Sequence, residues 1–127
     1  MPQVLMVDDD TGQLHIRESV LRSAGIQVSP ASSAESALEI LRSRGREIGV
    51  VITDHLLPGL QGADLVRELR TLNPSIPVVV LSGLPDIGPE YEGLDVIVRL
   101  KPLPARELIR LVHSLLGSNT TAQKAVS

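Results

Sequence analysis

The sequence contains no cysteine, no tryptophan and no phenylalanine, and Tyr91 is its whole aromatic complement. Without thiols, neither disulfides nor thiolate chemistry can contribute, which fits a reducing compartment. One tyrosine nearly excludes stacking on nucleic-acid bases. A net charge of −3 leaves no basic footprint for a phosphate backbone. No apolar run approaches the length of a membrane span. Met1-Pro2-Gln3 leads into a strand-like segment rather than a signal peptide, so the expected location is the cytoplasm. What remains is an aliphatic protein. Its 127 residues, 43% hydrophobic and 21% charged, suit one globular domain with a proper core.

The most informative stretch is Val50-Val51-Ile52-Thr53-Asp54-His55-Leu56-Leu57-Pro58-Gly59. A run of β-favouring residues without polar alternation predicts a strand buried on both faces, as in a parallel sheet. It ends in Asp54, and Pro58-Gly59 then turns the chain. An acid at the carboxyl end of such a strand stands where open α/β sheets bind ligands. It could equally be a turn cap. The rest of the chain decides.

Gln3–Val7 reads as the first strand and ends in Asp8-Asp9-Asp10. Asp10 is placed to cap a helix over Thr11 to Ala24, with Leu14, Ile16, Val20, Leu21 and Ala24 on one face and Gly25 at its end. Ile26-Gln27-Val28 predicts a short edge strand closed by Pro30. Ser32-x-x-Glu35 is a capping-box pattern before a helix carrying Ala34, Ala37, Leu38 and Leu41. The central strand spans Gly49 to Asp54, and a third helix follows from Gly62 to Leu72 until Asn73-Pro74 breaks it. Pro77–Ser82 predicts another buried strand. Pro85, Gly88, Pro89 and Gly93 leave room for only a turn or two of helix around Ile87 to Glu92. A fifth strand over Asp95–Leu100 ends in Lys101-Pro102, and Pro104 opens a last helix up to Gly117. Residues 118–127 read as a loose tail.

Strand and helix alternate throughout, which predicts a parallel sheet with helices on both faces. Such a sheet gathers Asp8-Asp9-Asp10, Asp54, Ser82 and Lys101 at one edge. Carboxylates from neighbouring strands repel, and a hard divalent cation such as Mg²⁺ resolves the conflict while keeping room for a phosphoryl group. The set would support phosphoryl transfer onto Asp54, with Lys101 and Ser82 holding the group in line. Each motif alone has a plainer reading: a solvated helix start for the acids, a turn for Ser82, a surface loop for Lys101-Pro102. Their joint placement favours a site.

At this point the chain resembles a receiver domain of a two-component response regulator, over about Gln3 to Leu116. The motifs carrying the resemblance are Asp8-Asp9, Asp54-x-x-Leu57-Pro58-Gly59-x-x-Gly62, Ser82-Gly83 and Lys101-Pro102. The resemblance implies a flavodoxin-like, doubly wound five-stranded sheet in the order 2-1-3-4-5 with five helices, the fourth short and irregular. It implies a receiver domain over residues 1–117 and a flexible tail over 118–127. Asp54 would accept phosphate from a histidine kinase or phosphotransfer domain. Asp9, Asp54 and the backbone carbonyl of Leu56 would hold Mg²⁺, with Asp8 helping through water. Lys101 would contact the phosphate and Ser82 would move towards it. A downstream protein target, no direct nucleic-acid or membrane contact, and a monomer or weak homodimer follow from the same likeness. So does a cis Lys101-Pro102 peptide.

Two departures stand out. Receiver domains usually carry an aromatic residue three positions before the lysine, where this chain has Val98. Tyr91 lies in the irregular segment and is not a simple substitute. Activation is therefore expected to reshape Ser82–Gly93 without an aromatic switch. Leu56 and Leu84 flank the expected path of a hydrolytic water and cannot orient it, so a long-lived phosphoryl-aspartate is expected. His55 is expected to be a partly exposed turn residue rather than a metal ligand or base. Two other functions compete: a haloacid-dehalogenase-type hydrolase, loosely echoed by Asp8-Asp9-Asp10-Thr11-Gly12, and a degenerate receiver that only binds a partner. The first lacks a late acidic pair. The second conflicts with filled acid, hydroxyl and lysine positions. No output domain is expected in residues 118–127, so a stand-alone receiver and one cut from a larger chain both remain open.

Overall fold

The computed structural model describes the backbone of residues 2–126 and the side chains of residues 2–117. Five strands, β1 (Gln3–Val7), β2 (Val28–Ala31), β3 (Ile48–Asp54), β4 (Val78–Ser82) and β5 (Ile97–Leu100), form one sheet in the order β2-β1-β3-β4-β5. Every pairing is parallel. The helices are α1 (Thr11–Ser23), α2 (Ala34–Arg44), α3 (Gly62–Leu72) and α4 (Ala105–Val126). This is the expected doubly wound, flavodoxin-like arrangement, with one helix fewer.

Strand alternation divides the aliphatic core into two layers. Leu5, Val7, Val51, Val78 and Val80 pack with Leu38, Leu65, Val66 and Leu69 of α2 and α3. Val4, Met6, Val50, Ile52, Val79 and Leu81 pack with Leu14 and Leu21 of α1 and with Leu108 and Val112 of α4. Both faces of β1, β3 and β4 are covered, which is why their sequences run apolar without alternation.

The missing helix is the expected fourth. Between β4 and β5 the described backbone has only a 3-10 turn, Gly88–Tyr91. Pro85 and Pro89 supply no amide hydrogen, and glycines at 88 and 93 weaken helical propensity. The segment is instead tied down from α3. The Arg70 guanidinium donates to the carbonyls of Ile76, Leu94 and Asp95 at 2.7–2.8 Å, and Arg67 donates to that of Glu90 at 3.2 Å.

Local details differ from the sequence reading in four further places. Pro30 lies inside β2, opposite Met6, because an edge strand pairs on one side only and tolerates a residue without an amide hydrogen. The cap of α2 is Ser33, which exchanges hydrogen bonds with Ser36, rather than Ser32 with Glu35. Ile16 is exposed instead of sharing the buried face of α1. Helix α4 continues beyond Gly117 to Val126. The side chains of the expected tail, 118–127, lie outside the described residues.

Candidate functional site

The carboxyl edge of the sheet brings the ends of β1, β3, β4 and β5 together. Asp8 follows β1 and is fixed there because its amide donates to Ala31 at 3.1 Å, while Asp10 caps α1 by accepting from the Gln13 amide at 3.1 Å. Asp54 ends β3. The ladder runs one residue further, with the His55 amide donating to Leu81 at 2.9 Å. The Lys101 amide donates to the Ser82 carbonyl at 2.8 Å, which holds the end of β5 against the end of β4. The Lys101-Pro102 peptide is cis.

Asp8 and Asp54 are buried and Asp9 is exposed, and one carboxylate oxygen from each lies within 4.8 Å of the others. The Lys101 ammonium reaches the same place from the opposite side, with Nζ 2.6 Å from Asp54 Oδ1. The contact is an ion pair off the hydrogen-bonding direction, so this buried oxygen has no aligned donor. Burial is the main cause that pushes the Asp54 carboxyl from 3.8 up to about 6; Asp8 adds to the rise and Lys101 opposes it. A buried carboxylate with one oxygen lacking an aligned donor, among two further acids, fits a hard cation with oxygen ligands.

The other residues expected at the site divide. Ser82 is buried at the same edge, but its hydroxyl donates to the Leu84 carbonyl at 2.8 Å and accepts from the Leu84 amide at 2.9 Å. It is committed to its own loop rather than to Asp54. Leu56 and Leu84 project into solvent, 60% and 52% exposed. His55 corrects the sequence reading. It is 4% exposed rather than partly exposed, because its Nδ1 is 2.8 Å from the Tyr91 hydroxyl and its ring is covered by that of Tyr91. Glu90 approaches Nε2 at 3.4 Å.

Gly62 shows why the loop after Asp54 is shaped as it is. Its amide donates to the His55 carbonyl at 3.0 Å. A Cβ here would come within 2.6 Å of the Tyr91 hydroxyl, 2.7 Å of the His55 carbonyl and 2.8 Å of the Asp54 carbonyl. Gly59, at φ +80°, makes the turn that L side chains rarely adopt.

Sequence reasoning missed Arg17. From α1 its Nη1 lies 2.5 Å from Asp8 Oδ2 and 4.0 Å from Asp54 Oδ1. Its position one turn after Leu14 placed it beside the acids, but a helical arginine reads as a solvated face until the helix is docked.

A doubly wound sheet of this order, with an acidic pocket facing a lysine at its carboxyl edge, defines the receiver class. A family model described as response regulator receiver domain matches residues 4–112. The chain is 32% identical over 116 residues to the response regulator RppA of Synechocystis, covering 89% of this chain and 50% of that protein. It is 36% identical over 80 residues to the sensor kinase CckA of Brucella abortus, covering 63% of this chain and 8% of the kinase. A receiver domain from Clostridium thermocellum superposes with a TM-score of 0.85 at 28% identity, covering 96% of this chain and 99% of that one. The chain belongs to the response regulator receiver domain family, the signalling domain of two-component systems. It spans half or less of the two curated relatives just described. Among the described residues no helix is long and apolar enough to cross a membrane.

Proposed function

We propose that Asp54 is the phosphoacceptor of this receiver domain, taking a phosphoryl group from a histidine kinase or phosphotransfer domain. The observation that carries the reading is the buried Asp54 Oδ1, without an aligned donor, 2.6 Å from the Lys101 ammonium. An oxygen of the Asp54 carboxylate attacks phosphorus as the bond from phosphorus to the donor imidazole nitrogen breaks, and the released nitrogen takes up a proton. Lys101 pairs with the transferred oxygens and holds them in line. Ser82 joins them only if its hydroxyl leaves Leu84. Asp9, Asp54 and the Leu56 carbonyl are the residues that would hold Mg²⁺, with Asp8 acting through water. Bound there, Mg²⁺ neutralises charge on the phosphoryl oxygens. Phosphorylation then alters the segment between β4 and β5, together with β5 and α4, to control a protein partner in the cytoplasm.

The test is the intact mass after treatment with acetyl phosphate and Mg²⁺. One phosphoryl increment is expected on the wild type and none on Asp54→Asn. An increment that survives the substitution would overturn the acceptor assignment. No increment on either protein would favour a receiver that only binds a partner.

A further inference from the structure

Arg17 is a second cation inside the acidic pocket. It approaches from α1, whereas Lys101 approaches from the loop after β5. Its side chain is 15% exposed, so this is a largely desolvated contact rather than a surface ion pair of negligible strength. Both Asp8 oxygens are engaged: Oδ1 accepts from the Asp10 amide at 2.9 Å, and Oδ2 faces the guanidinium at 2.5 Å. The same Nη1 stands 4.0 Å from Asp54 Oδ1. Asp8 is 1% exposed, and its charge would be uncompensated there without a cation.

A divalent cation held by Asp9 and Asp54 would share the pocket with this guanidinium. Like charges so close repel strongly where water is largely excluded. We propose that Arg17 is a positioning residue and resident counter-cation: it holds Asp8 in the unphosphorylated domain and weakens divalent binding, so the metal binds only as Arg17 loosens from Asp8. The inference rests on the divalent-cation part of the proposed function and is independent of which residue accepts phosphate.

The sign of the effect separates this role from a structural one. Loss of a purely structural residue leaves metal affinity unchanged or weakens it. Removal of a competing charge tightens it. In calorimetry with Mg²⁺ alone, Arg17→Met and Arg17→Gln are expected to bind about tenfold more tightly than the wild type, whereas Arg17→Lys keeps an affinity near the wild-type one. Circular dichroism establishes that each variant is folded. In the wild type, which needs no variant, saturating Mg²⁺ is expected to shift the Arg17 side-chain Nε–H resonance. Equal or weaker binding by the folded uncharged variants overturns the proposal, as does an Arg17 resonance unmoved by Mg²⁺. So does a lack of Mg²⁺ binding at millimolar concentration in wild type and variants alike. Phosphoryl labelling of Asp54 is read separately by mass, so either idea can fail while the other stands.

Discussion

The Tyr91 hydroxyl lies 2.8 Å from Nδ1 of His55, the residue that directly follows Asp54. The one tyrosine of the chain therefore links the proposed acceptor strand to the 3-10 turn between β4 and β5. Both side chains are buried, and Gly62 leaves the space that the tyrosine hydroxyl occupies. A domain with valine at position 98 thus has an aromatic contact beside Asp54, reached from a different segment.

Tyr91→Phe removes one hydrogen bond and leaves a buried histidine nitrogen without its partner. The expected loss is about 1–3 kcal/mol, read from denaturant midpoints. Amide exchange in Ser82–Gly93 is expected to change when a beryllofluoride phosphate mimic is added. An unchanged exchange pattern would show that this segment carries no signal.

Gly62→Ala is expected to be destabilising by about 1–3 kcal/mol, because the added methyl meets two backbone carbonyls that cannot retreat without moving the end of β3. A companion Gly45→Ala change, at a site with nothing within 4 Å of the added carbon, should be close to neutral. Thermal melts of the two variants side by side measure the contrast.

The raised Asp54 carboxyl makes stability depend on pH. Its folded value of about 6 exceeds the ordinary 3.8, so the folded state binds the proton more tightly than the unfolded chain does. This favourable contribution is complete below 3.8 and is lost as pH rises through about 6. Asp54→Asn, which carries no charge, is therefore expected to be more stable than the wild type by about 2–3 kcal/mol at neutral pH in a chelator. The advantage should vanish in acid. Added Mg²⁺ should also narrow it, by stabilising only the wild type. Urea unfolding at two pH values, with and without Mg²⁺, checks each part.

Leu56 and Leu84 offer no hydrogen bond to an approaching water, so the phosphoryl group on Asp54 is expected to be lost slowly. Leu56→Asn should speed that loss by about tenfold, equivalent to ~1.4 kcal/mol off the barrier. Decay of the phosphoryl mass after removal of acetyl phosphate gives the rate. Rapid decay of the wild type, unaltered by Leu56→Asn, would contradict the expectation.

The parallel sheet was legible in the sequence because strands buried on both faces must be apolar throughout, and β1, β3 and β4 are. The convergence of Asp8, Asp9, Asp54, Ser82 and Lys101 was legible for the same reason: parallel strands all present their carboxyl ends at one edge. Local signals fared worse where two neighbours could do the same job. Ser32 and Ser33 are equivalent until the chain entering α2 is oriented, and Pro30 reads as a stop until β2 is known to be an edge.

Tertiary packing decided what depends on distant partners. Asp54 begins as an acid between a strand and a turn, and burial beside Asp8 makes it a carboxyl with a raised pKa even though Lys101 opposes the rise. His55 reads as a turn residue until Tyr91, 36 positions away, covers it. Arg17 reads as solvated helix surface until docking of α1 points it at Asp8. Periodicity and strand ends are properties of consecutive residues and can be read along the chain. Burial, charge pairing and the fit of a glycine against a tyrosine exist only once separate elements have met.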